Sequence, residues 1–573
     1  MISLDNVTFR YQDVPDAVLR NVSLTIPEGE LCLVVGETGS GKSTLLQLVN
    51  GLAPHFTGGN LTGTVTVDGL DTRTNPPRDL AGIVGVVGQD PISGFVTDRV
   101  DDELAYSMEQ LGIPASVMRQ RVEEVIDLLG LDRIRHRSLS ALSAGEQQRV
   151  AIGAALTAQP RVLVLDEPTS ALDPSAAEEV LAALLRLVHD LGVTVLLAEH
   201  RLERVIQYAD SVLLLDGHGS ARYGSPAAIM ESSPIAPPII ELGRLAGWQP
   251  LPLSIRDARR VTVPLRQRLS SLLGEGTAAH RDKQASGVAR AKVGRAEVRH
   301  AEVGHAEVSR AEVSRAESLH AQNLSVRYGR VSAVHDDTLS LVSGEITALM
   351  GRNGSGKSSL LWALQGSGPR SGGTVSVAGR DTAFLETASL TADAAISHIV
   401  LVPQRPSDLL YLDSVAAECA EADRVAGAKP GTTLATLQRL APGIQGQTHP
   451  RDLSEGQRLA LVLAIQLAST PSVVLLDEPT RGLDYSAKKR LSDVLAELAQ
   501  AGASVLLSSH DVEFVARTAG RVIMLSEGDI ITDGSAQKVL TASASFAPQV
   551  SRILRPLGIL TVDAVRDALG VSV

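Results

Sequence analysis

Two lysines 315 residues apart carry the strongest chemical signal in this chain. Each sits in a glycine-rich run. The first is Gly36-Glu37-Thr38-Gly39-Ser40-Gly41-Lys42-Ser43-Thr44, and the second is Gly351-Arg352-Asn353-Gly354-Ser355-Gly356-Lys357-Ser358-Ser359. Both fit the G-x-x-x-x-G-K-[ST] spacing. Glycines let the backbone wrap a phosphate chain so that several N–H groups point inward. A helix opening at the lysine adds positive potential at its N-terminus. At this spacing the lysine reaches the outer phosphates, and Ser43 or Ser358 offers a hydroxyl to Mg²⁺.

A pair of adjacent acids follows in each case. Asp166-Glu167 and Asp477-Glu478 both end short apolar runs. The first carboxylate of each pair is expected to hold the metal through water. The second is placed to orient or deprotonate an attacking water.

These signals share one frame. Lys42 to Lys357 is 315 residues, Glu167 to Glu478 is 311, and His200 to His510 is 310. A nearly constant offset over so long a stretch means a duplicated domain. The period is far beyond the roughly 20–50 residues of solenoid repeats, so each copy must be a globular unit with its own core.

The elements that must position these residues alternate in type. Leu31–Val35 and Ile346–Met350 read as buried strands ending in the glycine-rich turns, and Ser43–Val49 and Ser358–Leu364 as the helices that follow. Val162–Leu165 and Val473–Leu476 are short apolar runs of buried-strand character. Val122, Val125, Ile126 and Leu129 form one helical face within Val117–Leu129. Such alternation predicts an α/β fold, with a mainly parallel sheet covered by helices in each copy.

Between the copies the pattern breaks. Ser232–Arg268 is Pro-rich and reads as an extension packing on the first domain. Arg290–Ser318 repeats a five-residue unit whose valines step round a helix and form no single apolar face. A solvated, partly helical linker is expected there, and Gly274–Ser318 as a coil would span roughly 35–40 Å. The expected division is residues 1–235 for the first nucleotide-binding domain and 236–273 for its extension. The linker takes 274–320 and the second nucleotide-binding domain 321–573.

Composition narrows the partners. Across 573 residues, 53 Lys and Arg against 65 Asp and Glu give a net charge of −12, which argues against nucleic acid as main partner. Aromatic residues make up 3%, too few for a base-stacking platform. Two cysteines, Cys32 and Cys419, form no disulfide framework, so none is expected. The N-terminal MISLDNVTFR lacks a basic region followed by an apolar run, so no signal peptide is expected. No apolar run approaches the roughly 20 residues of a membrane span. Work at a membrane would therefore go through partners.

The ordered set of motifs resembles that of the ABC ATPases. Leu142-Ser143-Ala144-Gly145-Glu146 and Leu453-Ser454-Glu455-Gly456-Gln457 look like the family signature. Gln89 and Gln404, each 47 residues after its lysine, match the Q-loop. His200 and His510 match the switch histidine, and Ser170–Asp173 and Arg481–Asp484 the D-loop. Tyr11 and Tyr328 sit where the family stacks an aromatic ring on adenine. The resemblance implies two head-to-tail ATP sites using Mg²⁺. One joins Lys42, Ser43, Gln89, Asp166, Glu167 and His200 to Ser454 and Gly456. The other joins Lys357, Ser358, Gln404, Asp477, Glu478 and His510 to Ser143 and Gly145. The metal-facing residues would be Ser43, Gln89 and Asp166, and Ser358, Gln404 and Asp477. Both sites are expected to hydrolyse ATP. One departure is Ala460, which stands where Arg149 aligns; loss of that arginine is expected to weaken a local ion pair and to leave the phosphate contacts in place.

Within that family, the acidic stretch Asp90–Leu104, TRGLDYSAKKRL at Thr480–Leu491, FAPQVSRIL at Phe546–Leu554 and PLSIRDARR at Pro252–Arg260 resemble energy-coupling factor (ECF) importers. That implies an energising subunit for vitamin or metal-ion uptake. It would lie on the inner face of the cell membrane, with a membrane scaffold subunit and a substrate-binding membrane subunit. Phe95, Val96 and Val100 would line a groove for the scaffold, and Asp98, Asp101, Asp102 and Glu103 would meet its basic residues. The alternative is an F-subfamily ABC translation factor acting at the ribosome, which also fuses two such domains. Fused sugar-importer ATPases and DNA-repair proteins fit less well, since both halves keep their catalytic residues and no zinc cysteines are present.

Overall fold

The computed structural model describes residues 1–12, 15–170, 172–273, 316–378, 384–387 and 398–571. The five-residue repeats between Arg290 and Arg315 lie outside the described residues.

Each half carries two sheets. In the first half, Leu31–Val35 is central to a six-stranded sheet. Its order is Ala221–Gly224, Ser211–Leu215, Leu31–Val35, Thr194–Ala198, Val162–Asp166 and Val84–Val87. The pairs are parallel except the first, an antiparallel edge. The second half repeats this arrangement, with Ile346–Met350 between Ser504–Ser508 and Arg521–Ser526. Leu31–Val35 is wholly buried, as an apolar run covered on both faces must be.

Period-two alternation divides each central strand between two cores. Leu31, Leu33 and Val35 face the helices on one side. Cys32 and Val34 face a four-stranded antiparallel sheet and the helix Lys42–Val49 on the other. Cys32 and Cys419 are buried free thiols, and burial pushes the Cys32 thiol up to about 12. A helical layer over Val100–Gln110, Ala115–Leu129 and Ala144–Leu156 completes the half. Val122, Val125, Ile126 and Leu129 are its buried face.

The Pro-rich segment folds into helices at Pro238–Ala246, Ile255–Val261 and 263–273. They pack on the first half, and they also receive the end of the chain. Val550, Ile553, Leu554, Ile559, Val562 and Val565 belong to the same continuous core as Ile239, Ile240 and Leu269. Arg259 Nε donates to Arg552 O at 2.8 Å, and Arg266 to Arg555 O at 3.1 Å. The two halves are therefore joined by a shared apolar core at one end. The strand Glu317–Tyr328 begins inside the stretch assigned to the linker. Ser318 and Leu319 are buried there, which sets where the second fold starts.

Candidate functional site

Each strand Leu31–Val35 and Ile346–Met350 runs into its glycine loop and then a helix opening at the lysine. Gly41 and Gly356 hold φ of 99° and 100°. A Cβ on Gly356 would lie 2.2 Å from Ala333 O, and one on Gly41 2.7 Å from Val18 Cγ1. Only glycine fits where the loop turns into its helix.

Each lysine folds over its own loop. Lys42 Nζ donates to Gly36 O at 2.8 Å and Glu37 O at 3.0 Å. Lys357 Nζ donates to Gly351 O and Arg352 O, both at 2.9 Å. Burial lowers both ammonium pKa values, and neighbouring carboxylates oppose it. Ser40 Oγ and Ser355 Oγ are buried without a hydrogen-bond partner. Spare buried donors beside inward-facing amides suit a phosphate.

Asp166 accepts a hydrogen bond from Ser43, and Asp477 from Ser358. A hydroxyl and a carboxylate already in contact are the donor set Mg²⁺ takes beside phosphates. Burial holds both aspartates above their ordinary value.

Glu167 and Glu478 sit in left-handed backbone, with φ of 51° and 50°. That strain in a non-glycine residue is kept where surrounding structure imposes it, often at functional sites. Glu167 Oε1 lies 2.9 Å from His200 Nε2, and Glu478 Oε2 lies 2.7 Å from His510 Nδ1. Burial opposes ionisation of Glu478, but His510 and Lys357 outweigh it and hold the carboxyl at about 2. The balance runs the same way at Glu167, through His200 and Lys42. Both carboxylates are thus ionised at neutral pH. Burial holds the His510 imidazole below its ordinary value.

The halves face each other head to tail. Thr38 N in the first loop donates to Asp484 Oδ2 of the second half at 2.7 Å. Asn353 N donates to Asp173 Oδ2 at 3.3 Å. Ser143 and Ser454 are the N-caps of the helices Ala144–Leu156 and Glu455–Leu467, each closed by a capping box. Gln89 Nε2 reaches Glu167 Oε2 at 3.1 Å and, across the interface, Glu455 Oε2 at 3.3 Å. Gln404 is exposed and makes no hydrogen bond among the described residues. Tyr11 packs edge-on against Phe9 and shares a 3.0 Å hydrogen bond with Thr44. Tyr328 stands half exposed at its strand end.

The acidic stretch after Gln89 differs from expectation. Glu103 is buried, and its Oε2 accepts from Val96 N, Thr97 N and Thr97 Oγ1 at 3.1, 2.8 and 2.8 Å. It braces its own loop. Asp101 is taken by His136 at 2.7 Å and Arg135 at 3.4 Å. Val100 lies in the core. Only Asp98 and Asp102 of the four acids stay exposed. A groove of about 520 Å³ does open here, lined by Val86, Val87, Phe95, Val96, Tyr106 and Leu111 among others.

Sequence reasoning missed the ionic cluster between the halves. Lys488 Nζ meets Asp511 Oδ2 at 2.7 Å, Arg201 lies 3.9 Å from the same oxygen, and Tyr485 donates to Glu203 at 2.5 Å. The available signal was the residue after each switch histidine, Arg201 in one half and Asp511 in the other. Those two positions correspond and carry opposite charge.

Fold and loops together define two tandem P-loop nucleotide-binding domains. A family model described as ABC transporter matches residues 19–170 and 334–481. The chain belongs to that family and is an ATPase whose domains bind ATP with Mg²⁺. A Streptomyces avermitilis protein named as an ABC transporter ATP-binding protein is 54% identical over 570 residues, covering 99% of this chain and 100% of the relative. A protein of the same description from Methanosarcina mazei is 32% identical over 609 residues, covering 99% and 97%. The solved structure of RNase-L Inhibitor aligns with a TM-score of 0.57 at 19% identity, covering 94% of this chain and 92% of that one. At that identity the likeness speaks for the fold alone.

Proposed function

We propose that this chain is the ATP-hydrolysing subunit of an ECF-type membrane importer for a vitamin or a transition-metal ion, acting at the inner face of the cell membrane. The observation that carries the reading is the groove beside Gln89. Val86, Ile92 and Val96 are exposed around it, and a concave apolar surface beside a nucleotide-sensing loop suits a helix of a partner. Among the described residues no helix is long and apolar enough to cross a membrane. A scaffold subunit would supply the spans, and a further membrane subunit would bind the cargo.

The two ATP sites in this reading are those formed across the interface. Lys42 and Lys357 hold the outer phosphates. Ser43, Gln89 and Asp166 in one site, and Ser358, Gln404 and Asp477 in the other, would hold Mg²⁺, which neutralises charge on the phosphates. Glu167 and Glu478 orient the attacking water, each steadied by its histidine. The Glu478 carboxyl, held at about 2, is a weak proton acceptor, and the Glu167 carboxyl is lowered by His200 in the same direction, so orientation is their larger contribution. Ser454 with Gly456, and Ser143 with Gly145, present a helix N-terminus to the γ-phosphate from the opposite half. Closure on nucleotide then moves the groove of the first half relative to the second half.

The test is affinity purification from detergent-solubilised membranes, comparing the unsubstituted chain with Val96→Asp. Integral membrane proteins in fixed stoichiometry, lost on substitution while soluble ATPase activity persists, support the reading. Ribosomal particles in their place would favour a translation role and sink it.

A further inference from the structure

We propose that Glu455 is a positioning residue for the first ATP site, acting across the interface on Gln89, and that the second site has no equivalent. The proposal rests on the shared-site reading above and adds an inequivalence between the sites.

Gln89 Nε2 lies 3.1 Å from Glu167 Oε2 and 3.3 Å from Glu455 Oε2. Ionised carboxylates only accept hydrogen bonds, and an amide nitrogen carries two donors. Two carboxylates at one end of the amide therefore fix that end as nitrogen. The Gln89 carbonyl oxygen must turn away from both and stays available as a ligand. With Glu167 alone the side chain keeps one anchor and its terminal torsion is loose.

Three residues of the second half build this contact. Glu455 is the first residue of the helix Glu455–Leu467, where helix polarity favours a carboxylate. Arg481 Nε lies 3.6 Å from Glu455 Oε1 and offsets its charge. Gly482 has φ of 66°, and a Cβ there would stand 2.7 Å from Glu455 Oε2. The glycine makes the room that the carboxylate occupies. The corresponding residues of the first half are Ala144, Ser170 and Ala171. The acid and its counter-charge are both replaced, and alanine stands in the sequence where the second half has glycine. Gln404 of the second site accordingly lacks a hydrogen bond among the described residues.

The consequence is a metal ligand set in the first site that is ordered only while the halves are apposed. Residues that orient a metal ligand from behind typically change metal affinity or activity about ten- to a hundredfold.

The experiment uses the full chain carrying Glu478→Gln, which silences the second site. Radiolabelled 8-azido-ATP is trapped at increasing Mg²⁺ and photo-crosslinked in place, and covalent label on each half is resolved by cleavage in the connecting segment. Turnover is read in parallel. Glu455→Ala should raise the Mg²⁺ needed for half-maximal retention on the first half about tenfold. It should lower kcat by a similar factor and leave KM for ATP within about twofold. Glu455→Gln keeps an oxygen acceptor for Gln89 and should recover most of the loss. Gly482→Ala should follow Glu455→Ala. An unchanged Mg²⁺ requirement, equal loss in the Ala and Gln variants, or an equal shift on the second half would each overturn the proposal. Retention needs no turnover, so it decides the matter even where silencing one site stops both. Label held by neither half of the unsubstituted chain would instead overturn the shared-site reading.

Discussion

Asp484 of the second half accepts a hydrogen bond from the backbone N–H of Thr38 in the first phosphate loop at 2.7 Å. The same carboxylate caps its own helix, accepting from Ala487 N at 2.7 Å. One side chain thus ties the start of a helix in one half to the nucleotide loop of the other.

Asp484→Ser separates these roles. Serine is a good N-cap but is too short to reach Thr38. A hydrogen bond to a charged group contributes about 1.5–3 kcal/mol, so ATPase activity should fall about ten- to a hundredfold with helix content intact by circular dichroism. Asp173→Ser should cost less, because its contact to Asn353 is 3.3 Å. Equal losses would contradict the asymmetry.

Ile553 is buried in the core shared by the first half and the end of the chain. Ile553→Ala should destabilise the protein by about 2–5 kcal/mol. Because that core spans both halves, calorimetry should show their unfolding move down together. A shift confined to one transition would mean that the halves are not joined there.

Burial holds the Glu513 carboxyl up at about 8, with Glu203 and Asp511 adding to it and Arg552 opposing. Its oxygen accepts from Gln549 N at 2.7 Å, at the junction of the halves. The folded state keeps a proton that the unfolded chain releases near its ordinary value of 4.5. Stability from this group is therefore present at low pH and lost as pH rises towards 8, by up to ~1.4 kcal/mol per pH unit. Glu513→Gln should flatten the fall in denaturant midpoint between pH 5 and 8, a range bracketed by those two values. An unaltered slope would assign it elsewhere.

Arg149 pairs with Glu179 at 3.1 Å, a contact that is largely exposed on the Glu179 side. Ala460, its counterpart, is buried among Leu459, Leu461 and Val462. Arg149→Ala should cost about 1 kcal/mol or less. Ala460→Arg would bury an unpaired charge and should cost several kcal/mol. Thermal melts of the two variants give the comparison.

The parts of the molecule legible in the sequence are those where local pattern and function coincide. Leu31–Val35 and Ile346–Met350 appear with their expected bounds, because continuous apolar runs before a glycine loop leave few alternatives. The helix face through Val122 and Leu129 is likewise a matter of spacing. What stayed hidden depends on chain segments meeting from far apart. Glu103 and Asp101 look like a free acidic surface until Thr97, Arg135 and His136 are brought to them. The Pro-rich extension shows no sign in its own residues that Val550 and Ile553 will complete its core. Glu455 reads as an ordinary variation within a signature until Gln89 arrives from the other half.

The most direct measurement is ATP hydrolysis by the purified chain carrying Lys42→Ala and Lys357→Ala together. Both ammonium groups close a phosphate loop, so hydrolysis should drop to the uncatalysed background while the fold persists. Turnover at the unsubstituted rate would contradict the account at its base.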